Sequence, residues 1–182
     1  IIFLKFSKKK NDTKTFTLVL IGNDFVRKKF NKIILIVENL FLKLNLKLNI
    51  YIIGRINKQY KFYPAKNIFI FGELNKKKIA KLLNNLNYFF TISLSEKEGA
   101  PISLLEIQAA GGISLCTKNN GGREYVPKEC QFDTKETLIK NLVKIIKNTK
   151  FSNYIRRQSL NNLKKNTDKN IAGEILSYSK RN

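Results

Sequence analysis

The sequence predicts an α/β fold: a Rossmann-like parallel sheet with helices on both faces and a helical C-terminal tail. Two observations predict it. Short apolar runs alternate with amphipathic segments of helical period along most of the chain, a pattern that means a parallel sheet with helices on both faces. Three of those runs also close on glycine (Gly22, Gly54 and Gly72), which lets the chain turn sharply at the strand ends.

Thr15 to Ile21 is the first β-rich run, closed by Gly22. Ile33, Ile34, Val37, Leu40, Phe41 and Leu44 then recur at helical spacing and predict an amphipathic helix of about 15 residues. Asn49 to Ile53 is a short strand closed by Gly54, and Asn67 to Phe71 repeats the pattern before Gly72. Lys76 to Leu86 predicts a helix and Tyr88 to Leu94 a strand. Pro101 to Ala110 predicts a helix, with Pro in its first turn and Gly111 as its stop. Ile113 to Thr117 is a strand, and from Thr134 onward two or three helices follow with no further strand signal. Residues 1–14 form a connector, 15–150 the sheet domain and 151–182 C-terminal helices.

The chain has 182 residues, enough for one domain with a real core, and its 43% hydrophobic content excludes a disordered chain. It contains no His, so no imidazole of this chain serves as a base or metal ligand. With no Met either, we expect a piece of a longer protein, a further domain preceding it. The net charge of +22 invites a nucleic-acid reading. Yet 29 of the 35 basic residues are Lys, and they are dispersed. Lys, Asn, Ile, Phe and Tyr together supply 94 residues, the set an AT-rich coding sequence enriches without selection. We assign most of the charge to solvated faces. A selected anionic partner, if there is one, is as readily an acidic membrane surface as nucleic acid. Cys116 and Cys130 lack metal-site spacing and read as reduced, intracellular core thiols. No apolar stretch reaches the roughly 18–20 uncharged residues of a membrane span.

In parallel sheets of this kind ligands bind outside the carboxyl ends of the strands. The most informative segment, Ser95 to Glu106, joins such a strand end to a helix start. First-turn amides at Ile102 and Ser103 have no intrahelical partner, and the helix dipole adds partial positive charge there. Glu98 precedes this anion-ready site, and Glu106 lies inside the helix, roughly 6–8 Å further along. A carboxylate on each side suits a sugar on one flank and a ribose on the other, since carboxylates accept paired hydrogen bonds from vicinal hydroxyls.

Glu98 and Glu106 form an E-x7-E motif. The string Glu98-Gly99-Ala100-Pro101-Ile102-Ser103-Leu104-Leu105-Glu106, followed by Ala109-Ala110-Gly111, Thr117 and Gly121-Gly122-Arg123-Glu124, resembles the retaining glycosyltransferases of family 4, also called glycosyl transferases group 1. The resemblance runs from about Thr15 to the C-terminus and implies one half of a GT-B fold, the C-terminal domain that binds the nucleotide-sugar donor. The loop Gly22-Asn23-Asp24-Phe25-Val26-Arg27-Lys28 agrees, for the family carries an Arg–Lys pair there. The resemblance assigns Arg27 and Lys28 to the donor diphosphate. It places Glu98 beside the transferred sugar and Glu106 on the ribose hydroxyls. Backbone around Gly22, Gly99, Ala100, Ile102, Ser103, Gly121 and Gly122 would face phosphate or sugar. Lys29 stands where the family often has Gly, and Asn23 where many members have a second phosphate-binding Arg.

The implied activity is transfer of a sugar from a UDP- or GDP-sugar to a saccharide or lipid-linked acceptor. It implies no metal or other cofactor; from the two reduced thiols we expect a cytoplasmic location, and from the lysines a peripheral association with the anionic inner membrane face. The alternatives are a sugar-nucleotide epimerase or glycogen- or starch-synthase-like transferase of the same architecture, and a non-enzymatic basic module on nucleic acid or an acidic membrane. The last lacks the clustered Arg and exposed aromatics that nucleic-acid surfaces use.

Overall fold

The computed structural model describes residues 14–55, 66–95 and 102–166. The elements are β1 (Thr15–Ile21), α1 (Phe30–Lys43), β2 (Lys47–Ile53), β3 (Ile68–Gly72), α2 (Lys76–Asn84), β4 (Phe89–Ser93) and α3 (Ile102–Ala109), followed by β5 (Ile113–Thr117), β6 (Gln131–Phe132), α4 (Lys135–Lys147) and α5 (Thr149–Asn166). The strands lie in the order β3-β2-β1-β4-β5-β6, and every neighbouring pair is parallel. The chain works outward from β1 to β3, then returns to add β4 on the other flank of β1. The topological switch point therefore lies between β1 and β4.

Burial explains why these runs are strands. Phe16 to Leu20 are buried without interruption, so β1 is covered on both faces. Leu18, Leu20, Ile50 and Ile52 point to one face, where Ile33, Val37 and Phe41 of α1 and Leu138 and Leu142 of α4 close the core. Val19 and Ile53 point to the other, against Ile79 and Leu83 of α2 and Ile107 of α3. α5 contacts α3, α4 and β5. Its Ser152 and Arg156 lie beside Lys14, Tyr88 and Ile113, at the amino ends of the strands.

Helix boundaries follow local chemistry. Asn75 caps α2 by accepting from the Lys78 amide at 2.9 Å, and Thr134 caps α4 by accepting from the Thr137 amide at 3.2 Å. α1 starts without a side-chain cap. Lys29 there is left-handed at φ 55°, and the Phe25 and Phe30 rings stack 5.0 Å apart to fix the entry of the chain.

The structure adds one strand that the sequence pattern does not reveal. β6 has two residues and follows two short 3₁₀ turns, so it offers no alternation to detect. Its pairing is tertiary: Cys116 lies opposite Gln131, and the Lys118 amide donates to the Phe132 carbonyl at 3.0 Å. α4 and α5 match the helices expected after Thr134; any third helix lies outside the described residues. Cys116 and Cys130 are unbonded and fully buried, and burial pushes the Cys116 thiol up to about 12 and Cys130 further in the same direction. Among the described residues no helix is long and apolar enough to cross a membrane.

Candidate functional site

At the carboxyl edge the loops after β1, β2 and β3 lock together. A Cβ on Gly54 would lie 2.0 Å from the Gly22 carbonyl oxygen, so only glycine permits this approach, and Gly54 sits at φ +143°. A Cβ on Gly22 would lie 2.5 Å from Cε of Lys28, so the lysine stem occupies the space the glycine leaves. Asn23 stands between them. Its Oδ1 accepts from the Arg55 amide at 2.8 Å, and its Nδ2 donates to Glu73 at 3.4 Å. Arg55 closes the set by donating to Glu73 at 3.0 Å. Where the family often carries a cation, this chain carries a residue that ties three loops.

Asp24 shapes the next turn. Its Oδ1 accepts from the Arg27 amide at 2.9 Å, and its Oδ2 pairs with Arg27 Nε at 3.2 Å. This pair is half-exposed and adds little stability; its consequence is direction. The guanidinium reaches across the switch point to Ser95 Oγ at 3.5 Å, at the end of β4. Lys28 is half-buried and lines a small cleft with Ile21, Thr91, Ser93, Ser103 and Leu104. Lys28 thus lies beside the first turn of α3, where Ile102 is exposed and Ser103 half-buried, while Arg27 lies at the end of β4. Cations and a helix amino terminus at one edge make an anion-holding arrangement.

Glu106 lies one turn further along α3 and is half-buried. Burial holds its carboxyl above the usual range, and attraction to Lys76 at the start of α2 partly offsets this. The folded chain therefore keeps this proton to higher pH than the unfolded chain. Between the two pKa values the unfolded state binds fewer protons, so stability falls as pH rises through that window and stays lower above it. Glu106→Gln is expected to raise the melting temperature at neutral pH and to lose that advantage in acid. An unchanged or lower melting temperature at neutral pH would contradict the burial penalty.

Glu98, Gly99 and Ala100, together with Pro101, lie outside the described residues. Gly121 is exposed and Gly122 buried in the 3₁₀ turn that follows β5. The Gly122 amide donates to Asn120 Oδ1 at 2.7 Å. Asn120 is a residue the sequence reading missed. The available signal was its position before two glycines, where an Asn side chain commonly starts a turn. Its contacts with β4 have no sequence signature. Among the described residues no three Asp, Glu or Cys side chains gather as a metal site would require.

A family model described as "Glycosyl transferases group 1" matches residues 2–169. No curated protein matches the sequence significantly. The fold is similar to that of WaaG, a glycosyltransferase involved in lipopolysaccharide biosynthesis, with a TM-score of 0.64 and 19% identity over 82% of this chain and 42% of that one. It is also similar to a UDP-forming α,α-trehalose-phosphate synthase from Burkholderia xenovorans, with a TM-score of 0.64 and 8% identity over 81% of this chain and 40% of that one. A sucrose-phosphate synthase from Thermosynechococcus elongatus gives a TM-score of 0.61 and 12% identity over 81% of this chain and 40% of that one. The chain spans less than half the length of each. Its six-stranded parallel sheet corresponds to one Rossmann-like half of a GT-B architecture.

Proposed function

Because the chain belongs to the glycosyl transferases group 1 family, we propose that it is the donor-binding part of a retaining glycosyltransferase. The enzyme moves a sugar from a UDP- or GDP-sugar to a saccharide or lipid-linked acceptor. One observation supports the reading above others: the loop after β1 aims Arg27 at the end of β4 and Lys28 at the cleft beside Ser103, at the switch point of the sheet.

The chemistry follows from where charge develops. As the bond between the anomeric carbon and the phosphate oxygen breaks, the leaving nucleoside diphosphate gains negative charge. Arg27, Lys28 and the amides of Ile102 and Ser103 stabilise it there. Glu106 holds the ribose hydroxyls, and Glu98 orients the hydroxyls of the transferred sugar. The acceptor oxygen bonds to the anomeric carbon on the face the phosphate leaves, which retains configuration. Its proton passes to the departing phosphate oxygen. This reading uses no metal or other cofactor. The acceptor site belongs to a second Rossmann-like half on the N-terminal side, so the chain alone binds nucleotide with little or no turnover.

Titration calorimetry with UDP and GDP tests the reading. Binding of one of them is expected; binding of neither at millimolar nucleotide would overturn it.

In this proposal the enzyme works in the cytoplasm at the inner membrane face, drawn there by its lysines. The outer stripe of α1 fits such a surface: Leu35 and Leu42 are 61% and 78% exposed, with exposed Lys32 and Lys43 beside them. The chain is expected to sediment with phosphatidylglycerol-containing vesicles at low salt and to be released at high salt. No binding, or binding indifferent to salt, counts against it.

A further inference from the structure

The loops of this edge are joined by one buried side chain. Asn120 is 1% exposed, although it lies at the rim of the sheet just beyond β5. Its amide is used on both sides. Nδ2 donates to Ser93 Oγ at 2.9 Å and to the Ser95 carbonyl at 2.7 Å, while Oδ1 accepts from the Gly122 amide at 2.7 Å. Its own backbone amide donates to the Thr117 carbonyl at 3.0 Å. Only a short carboxamide can donate twice and accept once across this distance. Asp offers acceptors alone, and Ser can donate only once.

Ser95 is the residue on which this link bears. It is 2% exposed, its carbonyl is held by Asn120, and its Oγ meets the Arg27 guanidinium at 3.5 Å. A continuous polar connection therefore runs from the turn after β5, through the end of β4, to the basic loop after β1. Asp24 fixes one side of the guanidinium from within its own loop. Ser95 fixes the other from across the switch point, and the placement of Ser95 depends on Asn120.

We propose that Asn120 is a positioning residue: through Ser95 it sets the direction of the Arg27 guanidinium, and it holds the Gly121–Gly122 turn in register with that cation. The proposal rests on the donor-binding reading above.

Asn120→Asp is the discriminating variant, because it is isosteric and keeps the acceptor for Gly122. At neutral pH it sets a carboxylate against the Ser95 carbonyl, an acceptor facing an acceptor, which displaces the end of β4, while the Ser93 hydroxyl can turn to donate. Calorimetric affinity for UDP and GDP is expected to fall about tenfold, the size of one lost hydrogen bond to a charged group. Measured against the unaltered chain at each pH, the loss is expected to shrink in acid, where the neutral carboxyl donates one hydrogen bond. Asn120→Ala should lose affinity by a factor that does not change with pH. A role confined to stability would move the melting temperature with pH but leave the affinity of the folded chain unchanged. Folded Asn120→Asp with affinity within twofold at neutral pH overturns the proposal and leaves the donor-binding reading intact. Binding of neither nucleotide by the unaltered chain overturns both. Should Asn120→Asp fail to fold, Ser95→Ala removes the Oγ partner of Arg27 and keeps every Asn120 bond. It is expected to weaken affinity about threefold, the smaller end of the same effect, and no change overturns the proposal.

Discussion

Replacing Arg27 and Lys28 together by Ala is expected to weaken UDP or GDP binding by about 100-fold or more while the chain stays folded. Each hydrogen bond from a cation to phosphate contributes about 1.5–3 kcal/mol. Two of them correspond to ~3–6 kcal/mol, and both side chains keep some solvent contact, so the lower part of that range applies. The Arg27–Asp24 pair is 46% and 53% exposed, so its loss should cost under about 1 kcal/mol of stability. Lys28→Met keeps the stem that lies on Gly22 and removes only the charge, separating the cation from its packing. Calorimetry beside a melting curve decides: affinity within threefold in the folded double variant would remove the diphosphate role from this loop.

Gly54→Ala is expected to have the largest effect on stability, about 3 kcal/mol or more. The new Cβ would lie 2.0 Å from the Gly22 carbonyl oxygen and 2.7 Å from its carbon, both backbone atoms that cannot rotate away. The residue would also sit at φ +143°, which side-chain-bearing residues rarely adopt. Relief requires the loop after β1 to move, carrying Asn23 and the turn that aims Arg27. Nucleotide affinity should therefore fall with stability, although Gly54 contacts no proposed ligand. Urea unfolding reads the first effect and calorimetry the second. An unchanged unfolding midpoint would mean that the two loops do not approach this closely in solution.

Much of this was legible in the chain itself. The first strand, the α1 stripe from Ile33 to Phe41 and the Gly-closed strand ends follow from hydrophobic period and glycine placement, which are local properties. So does the anion-ready start of α3, because first-turn amides lack partners in any helix. β6 was not legible: two residues have no period, and Gln131–Phe132 becomes a strand only because β5 presents an open edge. Asn23 was legible as a departure from the family's cation but not as the clamp of Arg55 and Glu73, which lie about 30 and 50 residues away.

The sequence by itself determined the alternation of strand and helix, and it placed Arg27, Lys28, Ser103 and Glu106 at strand ends and helix starts. Period, capping and turn chemistry act over a few residues and leave their mark in the letters. The tertiary structure alone decided which loops meet. It set β4 beside β1, and so put Ser95 under Arg27 and Asn120 under Ser95. Those contacts join residues 68 and 25 positions apart, and hydrogen bonds at that separation depend on strand order and register, which no local pattern encodes.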